Sequence, residues 1–139
     1  MNGGLQEITP AFGGCLIDPM LTVEVIEDDL AMRALLVEWL VGAGYRVRAC
    51  GGGAAAVKAG VDAVVVDLPN LPTQGAGTIR HVQSLYSGAA LVGLSTQAGG
   101  ASGRDGRQAR ALGLARLVSK PCSRRELLTA VAGAIGGVP

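Results

Sequence analysis

Short apolar, β-branched runs recur along the chain at residues 21–26, 63–66, 90–94 and 116–118, and an alternating segment lies at 45–50. Each reads as a β-strand. The run at 63–66 has no polar break, the pattern of a strand buried on both faces. Between the strands the apolar period lengthens from about 2 to about 3.6 residues. Leu30, Ala34, Leu35, Val37, Trp39 and Leu40 form a helical stripe over 28–40, closed by Gly42 and Gly44. Further helices are predicted over 54–59, 77–86, 107–112 and 123–135, with loops at 68–75 and in the glycine-rich stretch 99–106. The last helix opens on Ser123 with Glu126 three residues on, a capping box. Five alternations of strand and helix predict an α/β fold with a parallel sheet, helices on both faces and right-handed crossovers.

Residues 1–20 carry Gly3, Gly4, Pro10, Gly13, Gly14 and Pro19 without periodicity and read as a flexible N-terminal extension to one domain over 21–136. A chain of 139 residues with 49% hydrophobic and 17% charged residues can bury a sizeable core. The net charge of +1, with basic residues scattered apart from Arg124 and Arg125, leaves no electrostatic footprint for nucleic acid and no basic helix for a membrane. The apolar runs are too short to span a bilayer, and the N-terminus lacks the pattern of a secretory signal. Cys15, Cys50 and Cys122 share no metal-ligand spacing and read as free thiols of a cytoplasmic protein. His81 is the only histidine, so multi-histidine metal sites are excluded, and a surface position suits it better than catalysis.

Three of the apolar runs end directly in charge. Glu27-Asp28-Asp29 follows the first strand, Asp67 the third, and Lys120-Pro121 comes just after the fifth. In a parallel sheet these are carboxyl ends of strands, where ligands and chemistry collect. Carboxylates gathered there repel one another unless a cation sits among them, and a nearby lysine assists any bound anion. The implied site is a hard divalent metal beside an aspartate nucleophile. Taken singly, each feature has a plainer reading: an acidic helix start, a strand-end cap, a surface turn. Gly51-Gly52-Gly53 is a turn and not a phosphate loop, since no Lys-Ser or Lys-Thr follows it.

In this order and spacing the residues resemble a response-regulator receiver domain of bacterial two-component signalling, over about residues 21–135. The resemblance implies a flavodoxin-like (βα)5 doubly wound parallel sheet of strand order 2-1-3-4-5. It makes Glu27 and Asp28 the family's acidic pair and Asp67 its phosphoacceptor. Ser95 matches the hydroxyl residue after strand four. Lys120-Pro121 matches the Lys-Pro after strand five, where the peptide bond is usually cis, and Gly75 also falls where receivers place a glycine. The implied cofactor is Mg²⁺, with Asp28 and Asp67 as direct ligands, Glu27 acting directly or through water, and the backbone carbonyl of Pro69 completing the protein ligands. Lys120 would pair with Asp67 at rest and with a phosphoryl oxygen after transfer, and Ser95 would donate to another.

The implied function is that of a phosphoacceptor receiver, not an enzyme, that takes phosphate from a sensor histidine kinase or a histidine phosphotransfer protein and switches docking to an output protein. Homodimerisation through the face of the fourth helix, fifth strand and fifth helix stays open. With few residues after the last helix, the chain reads as a stand-alone receiver or one excised from a larger protein. It departs from the family pattern in several places. Leu71 stands where receivers usually have a proline, with Pro69 and Pro72 on either side, and Leu117 replaces the usual aromatic residue. Pro69 has no side-chain donor to influence attack by water, and the second predicted helix is about a turn short. Pro69, the shifted proline and Leu117 support an alternative, a degenerate receiver acting as a phosphorylation-independent interaction module. A flavin- or nucleotide-binding role on the same fold is disfavoured, because Glu27-Asp28-Asp29 would repel phosphate after strand one.

Overall fold

The apolar runs form five parallel strands, β1 (Thr22–Ile26), β2 (Arg46–Cys50), β3 (Ala63–Asp67), β4 (Ala90–Ser95) and β5 (Arg116–Ser119). The computed structural model describes residues 20–51, 59–98 and 106–136. The strands hydrogen-bond in the order β2-β1-β3-β4-β5, as expected of a flavodoxin-like sheet. Val23 lies beside Val47 on one side and Ala63 on the other, and Asp67 lies beside Leu94. Most of the expected extension (residues 1–19), of the expected helix over 54–59 (residues 54–58) and of the glycine-rich stretch (residues 99–105) lies outside the described residues.

Four helices are described: α1 (Leu30–Gly42), α2 (Leu71–Leu85), α3 (Arg107–Leu112) and α4 (Arg124–Gly136). They cover both faces of the sheet. On one face Leu36 and Leu40 of α1 and Leu127 and Val131 of α4 pack on Val23, Val25, Val65 and Val92. On the other, Leu71, Ile79, Val82 and Leu85 of α2 and Ala109 of α3 pack on Ile26, Val64, Val66 and Leu91. Alternating residues of β1 and β3 serve opposite faces, so these central strands are buried along their length, as an all-parallel sheet requires. Glu24 is the exception in composition: it is buried in β1, and its register partner Arg48 on β2 places Nε 3.8 Å from its carboxylate.

Two helix starts differ from the sequence expectation. α1 begins at Leu30 and not Asp28, because Asp29 is its N-cap and accepts a hydrogen bond from Met32 N at 2.9 Å. α2 begins at Leu71, within the expected loop 68–75. Pro72 falls in its first turn, where a missing N–H costs nothing, and the absent side chain of Gly75 leaves room for Leu71. The breakers were thus part of a helix start. The capping box of α4 forms as expected, with Ser123 N on Glu126 Oε1 at 2.8 Å and Glu126 N on Ser123 Oγ at 3.1 Å.

Glycines at two sites make opposite demands. A methyl on Gly93 in β4 would lie 2.8 Å from Leu68 Cδ1 and 2.9 Å from Leu114 Cδ1, both buried side chains. Gly93→Ala is therefore expected to destabilise by about 1–3 kcal/mol, as overpacking does. Gly77, exposed in α2, has open space around it, and Gly77→Ala is expected to stabilise by roughly 0.5–1 kcal/mol. Urea unfolding of both variants checks the pair; shifts of the same sign would contradict this packing.

Candidate functional site

β1 and β3 are neighbours at the centre of the sheet, so their carboxyl ends bring Glu27 and Asp67 to one edge. Glu27 N donates to Cys50 O at 3.0 Å, which extends the β1–β2 pairing by one residue and fixes the start of the acidic turn. The Glu27 carboxylate is 3% exposed and has both oxygens engaged. Oε2 accepts from Asp29 N at 3.1 Å, and Oε1 lies 3.4 Å from Lys120 Nζ. Lys120 Nζ also donates to Asp67 Oδ1 at 2.8 Å. One ammonium thus serves two carboxylates, from strands far apart in sequence. The Lys120-Pro121 peptide is cis, as the resemblance implied.

Ser95 ends β4 with its side chain fully buried. Its carbonyl accepts from Lys120 N at 2.9 Å, so the β4–β5 pairing runs straight into the lysine. Its hydroxyl oxygen accepts from Gln97 N at 2.9 Å, which leaves the hydroxyl proton available to another acceptor. Pro69 is exposed, two residues past Asp67.

Asp28 stands apart from the other carboxylates. It is exposed, and its Oδ1 lies beside the α-carbon of Gly51, where an added methyl would be 2.9 Å away. Arg33 Nη2 reaches the same spot, 3.3 Å from that methyl position, while Arg33 Nε donates to Glu27 O at 2.8 Å. Among the described residues no three histidine, cysteine, aspartate or glutamate side chains are gathered to hold a metal ion. The donor chemistry does suit a hard cation: the edge carries only oxygen donors, and two carboxylates share a single ammonium.

Three contributors were missed in the sequence: Arg33, Gly51 and Gln97. Arg33 could be suspected from its place in the turn of α1 that follows the acidic residues. Gly51 carried no local signal, since its role lies in the space it leaves for Asp28. Leu117 is half-buried in the core, and its Cδ1 would lie 3.3 Å from a methyl on Gly93. It fills apolar space under the loop and presents no polar tip.

No family model matches the sequence, and no curated protein matches it. Solved structures do match in fold. The chemotaxis response regulator CheY4 of Vibrio cholerae is 22% identical with a TM-score of 0.61, over 84% of this chain and 99% of that one. A response regulator receiver protein of Sinorhizobium medicae is 22% identical with a TM-score of 0.59, over 84% of this chain and 95% of that one. A sensor protein of Polaromonas is 22% identical with a TM-score of 0.64, over 87% of this chain and 100% of that one. The chain has the receiver-domain fold. No helix among the described residues is long and apolar enough to cross a membrane.

Burial lowers the pKa of Lys120, but the hydrogen bond and charge of Asp67, followed by those of Glu27, outweigh it, and the net shift is upward. A lysine with a raised folded-state pKa stabilises fully below its unfolded value, and that contribution is lost as pH rises through the folded value. Lys120→Met is expected to destabilise by about 1–3 kcal/mol at neutral pH, since it strands a buried carboxylate. The deficit should stay constant through neutral pH and shrink only above the ordinary lysine value of 10.5. Urea unfolding of both proteins across pH checks this, and a deficit that closes near neutrality would contradict it.

Proposed function

We propose that this chain is the phosphoacceptor receiver of a two-component phosphorelay, in which Asp67 takes a phosphoryl group from a phosphohistidine and thereby switches a protein–protein contact. The observation that supports this most is the Lys120 ammonium, 2.8 Å from Asp67 Oδ1 and 3.4 Å from Glu27 Oε1 at the carboxyl edge of a receiver-type sheet. An Asp67 oxygen attacks phosphorus, the phosphorus–nitrogen bond breaks, and its electron pair leaves with the imidazole of the donor. Lys120 holds Asp67 in place before transfer and then offers its ammonium to a phosphoryl oxygen. Ser95 donates its free hydroxyl proton to a second phosphoryl oxygen.

A bound Mg²⁺ would neutralise charge on the phosphoryl group and fix its orientation. Asp28, Asp67 and the Pro69 carbonyl are the groups that would hold it. Glu27, already bonded at both oxygens, suits contact through water and the shaping of the acidic turn. The donor would be a sensor histidine kinase or a histidine phosphotransfer protein, and the chain would act in the cytoplasm as a signalling switch and not as an enzyme with turnover. The output protein, or a second copy of the chain, would read the changed surface.

Two observations favour a second reading, a degenerate receiver that binds its partner without phosphorylation. No three metal-ligating side chains are gathered among the described residues, and Leu117 is packed where it has no polar tip to move. Labelling separates the two. With acetyl phosphate, intact mass should show one phosphate adduct that requires Mg²⁺ and is absent in Asp67→Asn. A folded wild type that takes no phosphate from either acetyl phosphate or a phosphohistidine donor would favour the degenerate module. A second outcome tests the cation ligands. Asp28→Asn, which removes the charge of one ligand carboxylate, should raise the Mg²⁺ concentration for half-maximal labelling several-fold. An unchanged requirement would remove Asp28 from the ligand set.

A further inference from the structure

The turn after β4 makes hydrogen bonds that phosphoryl chemistry does not require. Leu71 N donates to the side-chain Oε1 of Gln97 at 3.0 Å, across 26 residues, and Gln97 N donates to Ser95 Oγ at 2.9 Å. A backbone N–H can meet only the oxygen of the amide, which settles the orientation of that side chain. Leu71 is the first residue of α2, so its N–H is one of the donors a helix cannot satisfy internally. Asn70, at the N-cap, makes no side-chain cap bond. Gln97 therefore caps α2 from another part of the chain.

The same turn is tied on its other side. Ser119 Oγ donates to Ala98 O at 3.3 Å, and Lys120 N donates to Ser95 O at 2.9 Å. Residues 95–98 thus bridge the start of α2, four residues past Asp67, and the strand that delivers Lys120. The Leu71 N–H matters here: a proline at that position would have no proton to give.

We propose that Gln97 is a latch. Its side chain holds the Ser95 turn in the resting position, and it must release Leu71 N when Ser95 moves to donate to an oxygen newly bound at Asp67. The release half rests on the phosphoacceptor reading; the holding half does not. Gln97 is a positioning residue, since it acts through Ser95. Its bond opposes the switch by the net worth of one hydrogen bond, equivalent to about 2- to 10-fold in an equilibrium constant.

Two measurements test it. The first is amide hydrogen exchange at Leu71 without any phosphodonor. Gln97 is exposed, so Gln97→Ala should fold, and exchange at Leu71 should speed by about 2- to 10-fold. Unchanged exchange would overturn the latch. The second is the concentration of beryllofluoride, a phosphoryl mimic for Asp67, that half-saturates the protein at saturating Mg²⁺, followed by thermal shift. Gln97→Ala should bind it about 2- to 10-fold more tightly. Gln97→Glu, whose carboxylate is a better acceptor at a helix N-terminus, should bind it more weakly.

The gain from Gln97→Ala should vanish in a Leu71→Pro background, where the donor is already gone. A gain that persists there would overturn the latch. Leu71 is buried, so where Leu71→Pro does not fold, the opposed signs of the two Gln97 variants decide; equal signs would overturn the proposal. Faster Leu71 exchange in Gln97→Ala, beside a wild type that binds no beryllofluoride, would support the holding contact and count against the phosphoacceptor reading alone.

Discussion

The contact on which the site depends is one ammonium shared by two carboxylates. Glu27 is nearly inaccessible to water, and leaving its carboxylate without the ammonium would cost about 1–3 kcal/mol. Lys120 is the side chain that meets Oε1, and it does so while donating a shorter bond to Asp67. Two negative groups face one positive group there, while Asp28 and Arg33 lie together beside Gly51. An edge in this condition favours a further cation, and with that cation an anion.

Strand order makes this arrangement possible. β1 and β3 adjoin at the centre, β4 follows, and β5 closes that side of the sheet. Each strand then delivers one group to the same edge: Glu27, Asp67, Ser95 and Lys120. The main-chain bond from Lys120 N to Ser95 O links the last two. Gln97 adds a link from this turn to α2. The turn at the site is accordingly hydrogen-bonded to both the α2 and the β5 sides of the domain.

Much of this was legible in the sequence because it rests on local signals. The runs at 63–66 and 90–94 announce buried strands, and the Asp67 and Ser95 that follow them are easily seen at strand ends. Ser123 and Glu126 announce the start of α4 and form the expected box. The start of α2 was misread because Pro72 and Gly75 are loop residues by habit. Here one occupies a first turn and the other makes room for Leu71. The direction of Asp28 and the cap supplied by Gln97 were not legible at all. Both depend on residues brought together by tertiary folding, Gly51 in one case and Leu71 in the other.

The most direct test of the central claim locates the reactive carboxylate chemically. An aspartyl phosphate is reduced by borohydride to homoserine, whereas a free carboxylate is not. After treatment with acetyl phosphate and Mg²⁺, then borohydride, peptide mass mapping should find homoserine at position 67 and aspartate at positions 28 and 29. Homoserine at another position, or none in a folded protein that a phosphohistidine donor also fails to label, would contradict the account.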